Sequence, residues 1–288
     1  MSWTDRRRAF RAILAGAECV HPASVYDPVS ARIAEDLGFE AGMFAGSIAA
    51  LTVLGAPDLV MLTLTEFAEQ IRRMTRATAR LPLLVDADHG YGNALSVMRT
   101  VAELDVAGVA ALTIEDTALP RPYGAPGGLQ LLSRAEGADK LRAALAARSD
   151  PELVIVGRTG ALPAGGLDEA LERARGFAAA GADALFFTGV TSLEQVQALH
   201  AATGKPIILG GTEGELARPA LAAAGVRLAL QGHQPFLAAV RAVQETLAAL
   251  RQGTPPQALQ NQPSTALMKQ VTRDAAYAAA TREFLGGG

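Results

Sequence analysis

Apolar and polar positions along this chain come in blocks, and one phrase recurs: an alanine-rich helical end, a glycine, then a short apolar run. Asp36-Leu37-Gly38 precedes Ala41 to Phe44, Ala107-Gly108 precedes Val109 to Ile114, Ala180-Gly181 precedes Ala184 to Phe187, and Ala224-Gly225 precedes Val226 to Leu230. Each reads as a helix C-terminus closed by glycine and followed by a strand. The strands are continuously apolar, which suits a parallel sheet buried on both faces. Glu18 to Val20, Leu83 to Val85, Leu153 to Val156 and Ile207 to Leu209 complete a set of eight, the last three each following a proline.

Helical signals separate these strands. Asp27-Pro28 is a cap with proline in the first turn, and Ser133 to Glu136 and Ser192 to Gln195 read as capping boxes. Phe67, Ile71 and Met74 lie at helical spacing after Thr65. Strand then helix, eight times in about 230 residues, predicts a closed (β/α)₈ TIM barrel over 1–250. A doubly wound open sheet is the alternative, but no glycine-rich dinucleotide fingerprint follows the first strand. Arg251 to Pro256 breaks the pattern, and 251–288 is expected to form a helical tail on its own or a neighbouring barrel.

The chain has 288 residues, 50% hydrophobic and 19% charged, which excludes intrinsic disorder. With 26 basic and 29 acidic residues scattered to a net charge of −3, no nucleic-acid footprint is present. Residues 41–65 carry only Asp58 as a charge, but Gly42, Gly46, Gly55 and Pro57 make that stretch a strand, a loop and a following element rather than a membrane span. One cysteine, Cys19, excludes a disulfide framework, and with no secretory apolar core near Met1 the expected address is cytoplasmic.

In such a barrel the chemistry collects at the C-terminal strand ends. Strand two ends Gly46-Ser47, strand three Asp86-Ala87-Asp88-His89-Gly90-Tyr91-Gly92, strand four Glu115-Asp116, strand five Arg158-Thr159, and strand eight Gly232-His233. Carboxylates converging from adjacent strands need positive charge between them, and hard oxygen ligands suit Mg²⁺ or Mn²⁺. Asp86 is the expected direct metal ligand, with Asp88 and Glu115 holding its waters; the bland reading of such acids is helix capping, accepted for Asp116. Arg158 closes an apolar strand and needs an anion, either Glu115 or a substrate carboxylate. His233 earns attention from its strand end, whereas His21 and Cys19 read as structural and His89 as a loop-orienting residue.

These residues resemble the isocitrate lyase and phosphoenolpyruvate mutase superfamily, through Ser24-Val25-Tyr26-Asp27-Pro28-Val29-Ser30-Ala31-Arg32, Asp86 to Asn93, Thr113 to Asp116 and Gly157-Arg158-Thr159. The resemblance covers Phe10 to Leu250. The loop Pro120 to Gly128 has neither the cysteine of the carbon-carbon lyases nor the asparagine of the mutases, so the oxaloacetate decarboxylase branch is the nearest. That resemblance implies Mg²⁺-dependent decarboxylation of oxaloacetate, or of a close β-carboxy α-keto acid, to pyruvate and CO₂. It makes Asp86 a metal ligand, Gly46 and Ser47 a substrate-carboxylate site, and Arg158 and His233 further substrate contacts; Asp58 would position a metal-bound water or cap a helix. It also implies a dimer of dimers with a swapped C-terminal helix. The chain departs from the branch at Gly160, where asparagine is usual, and at Gly211-Thr212-Glu213, where tyrosine is usual. The alternatives are carbon-carbon or phosphorus-carbon cleavage of a substituted keto acid, and a silent metabolite-binding barrel.

Overall fold

A computed structural model describes residues 1–125, 127–211 and 216–286. Helix α1 (Trp3–Ala15) opens on a capping box between Ser2 and Asp5. There follow β1 (Ala23–Ser24), α2 (Pro28–Asp36), β2 (Gly42–Phe44), α3 (Gly46–Ala49) running into a π-turn (Ala50–Leu54), α4 (Leu64–Ala77) and β3 (Leu83–Asp86). Then come α5 (Ala94–Val106), β4 (Ala111–Glu115), α6 (Arg134–Ala147), β5 (Val154–Thr159), α7 (Ala161–Ala180) and β6 (Ala184–Phe187). The last units are α8 (Leu193–Thr203), β7 (Ile207–Leu209), α9 (Arg218–Ala223), β8 (Val226–Ala229) and α10 (Gln234–Arg251), before a tail of α11 (Thr265–Thr272) and α12 (Asp274–Leu285).

The eight strands are parallel and pair in chain order from β1 to β8. Ring closure falls to one residue: Val20 forms a parallel bridge to Leu228, its N–H donating to Arg227 O and its carbonyl accepting from Ala229 N. The first strand is thus split. Glu18 to Val20, the expected strand, contributes only that bridge, while β1 proper starts at Ala23 because Pro22 has no N–H to give a ladder. The other seven strands stand where their apolar runs put them, with Leu84, Val85, Leu112, Ile155 and Leu185 fully buried.

Two helix starts follow the sequence reading closely. Asp27 accepts from Ser30 N with Pro28 in the first turn, and Ser192 with Gln195 completes its box. Ser133 supplies only half of one, accepting from Glu136 N. Phe67, Ile71 and Met74 face the core of α4, whose cap is Thr63. The stretch expected as a loop after β2 is helical instead, since Gly46 to Leu54 is uncharged and largely apolar and gains turn hydrogen bonds, with Thr52 Oγ1 donating back to Ile48 O.

At the N-terminal ends of the strands, α1 acts as a plug. Arg7 pairs with Asp105 and Asp150 at 2.7 Å each, and Arg11 reaches Asp183 at 3.2 Å. The tail touches its own barrel through buried Val271, through Arg273 on Asp36 at 2.7 Å, and through Arg32 donating to Val271 O. Among the described residues no helix is long and apolar enough to cross a membrane.

Candidate active site

Strand register builds the centre of the site. Residues opposite one another on parallel neighbours share a face, and the pairs here are Asp86 with Thr113, Glu115 with Arg158, and Arg158 with Phe186. Each pair is in contact. Thr113 Oγ1 donates to Asp86 Oδ1 at 2.7 Å, Arg158 Nε stands 3.2 Å from Glu115 Oε2, and the guanidinium carbon lies 5.4 Å from the Phe186 ring centroid. Arg158 Nη1 also donates to Asp86 Oδ2. Its Nε meets Glu115 as an ion pair without hydrogen-bond alignment.

Asp86, Glu115, Arg158 and Phe186 border a cavity of ≈ 220 Å³ that Ser47, Asp58, Asp88 and His233 also line. While Asp116, His21 and His89 lie outside that lining, the structure therefore brings together the polar side chains expected to hold metal or substrate. Gly46 lies beneath them: a Cβ at this position would stand 2.6 Å from both Asp88 carboxylate oxygens. Asp88 itself has a left-handed backbone, φ 47°, a conformation uncommon outside glycine and typical of strain held at functional sites. His233 spans two strand ends, with Nδ1 2.9 Å from Ser24 Oγ and Nε2 3.5 Å from Ser47 Oγ.

Four carboxyl groups surround one guanidinium, and the electrostatics follow. Burial, with Asp86 and Glu115 behind it, pushes Asp88 well above the usual carboxylate range. Burial raises Glu115 to about 6 against the pull of Arg158, and partial burial together with Asp86 raises Asp58. Burial opposes the Arg158 charge, but Asp86 and Glu115 more than offset it and keep the guanidinium protonated. His233 is lowered by burial and so is neutral.

This donor set fits a small hydrated divalent cation. No hydrogen-bond donor among the described residues reaches the Asp88 carboxylate, and Arg158 acts on it only as a nearby charge that does not offset its burial and its acidic neighbours. Among the described residues no group of three His, Cys, Asp or Glu side chains is arranged to hold one ion, whereas Mg²⁺ keeps several of its waters and needs only one or two carboxylates directly. Asp86 is already engaged by Arg158, Thr113 and the Asp88 N–H at 3.2 Å. Asp88 thus offers the freer oxygens of the two.

Other expectations change. Asp116 caps no helix: it is 1% exposed and bonded to Arg173 at 2.7 Å and Thr159 at 3.2 Å, because its side chain points to the helix layer behind the sheet. Asp58 is likewise no cap, since Thr63 fills that role for α4. His21 bonds Ala229 O at 2.7 Å, and Cys19 is buried away from the cavity. Ser24, Thr113, Phe186, Leu119 and Thr188 belong to the site and were not foreseen; Ser24 and Thr113 lie in runs the resemblance rests on, and the other three had no signal. Gly160 is roofed by Leu129, whose Cδ2 is 2.4 Å from where a Cβ would be. The departure at Thr212-Glu213 lies outside the described residues.

A family model described as phosphoenolpyruvate phosphomutase matches residues 10–251. The chain belongs to that family. A Rhodopseudomonas palustris relative named oxaloacetate decarboxylase is 58% identical over 99% of both chains, and one of the same name from Bradyrhizobium diazoefficiens is 55% identical over the same share. Among solved structures, phosphonopyruvate hydrolase in complex with oxalate and Mg²⁺ is 28% identical, with a TM-score of 0.84 over 99% of this chain and 100% of its own. In that family setting, the loop that bridges β4 to α6 is closed by a small ladder between Thr117 and Leu131, and its Leu119 reaches the cavity.

Proposed function

We propose that this chain decarboxylates oxaloacetate, or a close β-carboxy α-keto acid, to pyruvate and CO₂ with Mg²⁺, Mn²⁺ being the alternative ion. The observation that carries the reading is the small cavity in which Arg158 stands amid four carboxyl groups, in a chain 55–58% identical to relatives named for that reaction. Asp86 and Asp88 would hold the ion and Glu115 its waters. When bound, the divalent ion supplies positive charge where the C2 oxygen of the keto acid gains electron density.

The chain's own groups do the rest. Arg158 Nη2, which has no hydrogen bond among the described residues, would be available to a substrate carboxylate, and Ser47 on the cavity lining, with Gly46 beside it, would meet another part of the substrate. Held at both ends, the substrate is oriented so that the C3–C4 bond stands out of the keto plane. As that bond breaks, its electron pair moves onto the C2 oxygen to form the enolate and CO₂ leaves. Asp58, at the partly open rim with a raised pKa, is placed to hold the proton that returns to C3. Phe186 beneath Arg158 and Leu119 above limit the water around the reacting carbons.

The assembly is part of the same reading. All 18 residues of α10 retain solvent exposure beyond the buried range, including Leu237, Val240, Val243 and Leu247 at helical spacing, so we infer a homo-oligomer, a dimer of dimers, in which this helix packs on a neighbour. Residues 1–250 then form the barrel and 251–288 the tail, in a cytoplasmic setting.

Pyruvate formation from oxaloacetate plus Mg²⁺, followed through lactate dehydrogenase, tests the activity. Turnover above the metal-only background, removed by EDTA and by Arg158→Ala, is expected. Turnover equal to the background, or release of phosphate from phosphonopyruvate in its place, would overturn it.

A further inference from the structure

His233 is held from two sides by hydroxyls from different strand ends. Ser24 Oγ lies 2.9 Å from Nδ1 and Ser47 Oγ lies 3.5 Å from Nε2, and among the described residues no other side chain bonds the ring. Only Ser47 borders the cavity; Ser24 stands behind the ring, on β1. Burial keeps the imidazole neutral, so one nitrogen carries a proton and the other is bare.

Which nitrogen is protonated follows from what each one faces. Nε2 points toward a cavity lined by four carboxyl groups, Asp58, Asp86, Asp88 and Glu115, against one guanidinium, Arg158; Asp86 is the charge that acts on the ring, and an anionic substrate would add to the negative side. A bare lone pair aimed there is repelled, whereas an N–H is attracted. With the proton on Nε2, Nδ1 must accept, and the Ser24 hydroxyl is the donor in reach. We propose that Ser24 is a positioning residue that donates to His233 Nδ1 and fixes the ring as its Nε2–H tautomer, so that His233 offers the substrate a hydrogen-bond donor and not a base. This inference rests on the keto-acid reading of the cavity only for the identity of the group that receives the hydrogen bond.

The tautomer is measurable without turnover. The chain has four histidines, so the magic-angle-spinning ¹⁵N spectrum of histidine-labelled protein is assigned by subtracting that of His233→Gln. The expected spectrum places the His233 proton on Nε2 in the wild type and in Ser24→Thr, and shows a mixture of tautomers in Ser24→Ala. In parallel, Ser24→Ala should lower kcat/KM about tenfold, mainly through KM, with Ser24→Thr near wild type. A wild-type ring protonated on Nδ1, or an unchanged ring in Ser24→Ala, overturns the proposal. Because the spectrum needs no substrate, a correct tautomer in a chain without decarboxylase activity would uphold Ser24's role while removing the functional reading.

Discussion

Asp88 sits buried among other carboxyl groups, and the glycine beside its carboxylate leaves room for it. In Gly46→Ala the new methyl would stand 2.6 Å from both Asp88 carboxylate oxygens, so the carboxylate must turn away from the position it holds. The expected result is a folded protein with kcat/KM reduced about 100-fold and a raised Mg²⁺ requirement, read from rates across a Mg²⁺ titration. His89 gives a pH-dependent case. Burial, aided by Lys140, lowers its pKa from 6.5 to about 4, so the unfolded chain takes up the proton first as pH falls. Its contribution is therefore complete above pH 6.5 and is lost as pH drops toward 4, about 2 kcal/mol by pH 5. Urea unfolding at pH 7 and pH 5, with EDTA present, should show that much less pH sensitivity in His89→Gln. The acids, Arg158 and His233 were legible because charged residues at the ends of apolar strands are conspicuous. Thr113 and Ser24 were not, since a short hydroxyl inside a strand acquires meaning only from its partner across the register. Asp116 was misread for the same reason: one residue beyond Glu115, it points to the opposite face.

At the level of elements, the seven strands after β1 and most helices could be located from period and punctuation, because each is built from local apolar runs. The two departures were decided by tertiary pairing: Pro22 interrupts the first strand, and the apolar run after β2 coils into α3 and its π-turn. The loop between β4 and α6 was unreadable in shape, yet its contact with the barrel is specific. Leu129 rests on Gly160, where a side chain would collide with it. Gly160→Ala should push Leu129 aside and loosen that loop, and cleavage by chymotrypsin after the exposed Tyr123 should accelerate severalfold. Leu129→Ala in the same chain should restore slow cleavage; if cleavage stays fast in the double variant, the contact does not hold the loop.

For the whole molecule, the barrel's two ends divide the work: α1 and its arginines brace the N-terminal ends of the strands, and the carboxylates gather at the other. The exposed stripe on α10 predicts that Val243→Glu shifts the protein from oligomer to monomer in light scattering at micromolar concentration, with a melting point several degrees lower. A monomeric wild type would remove the assembly reading. The split first strand carries a consequence of its own. Among the described residues the ring's backbone ladder is closed by Val20, with His21 on Ala229 O beside it, so it is a hoop with a clasp, and the clasp lies between β8 and β1, the two strands whose ends present His233 and Ser24. Its mouth carries the Ser24 to His233 hydrogen bond, so a ligand held by His233 is expected to tighten the seam. Slower exchange of the Val20 and Ala229 amides in the presence of such a ligand would show it.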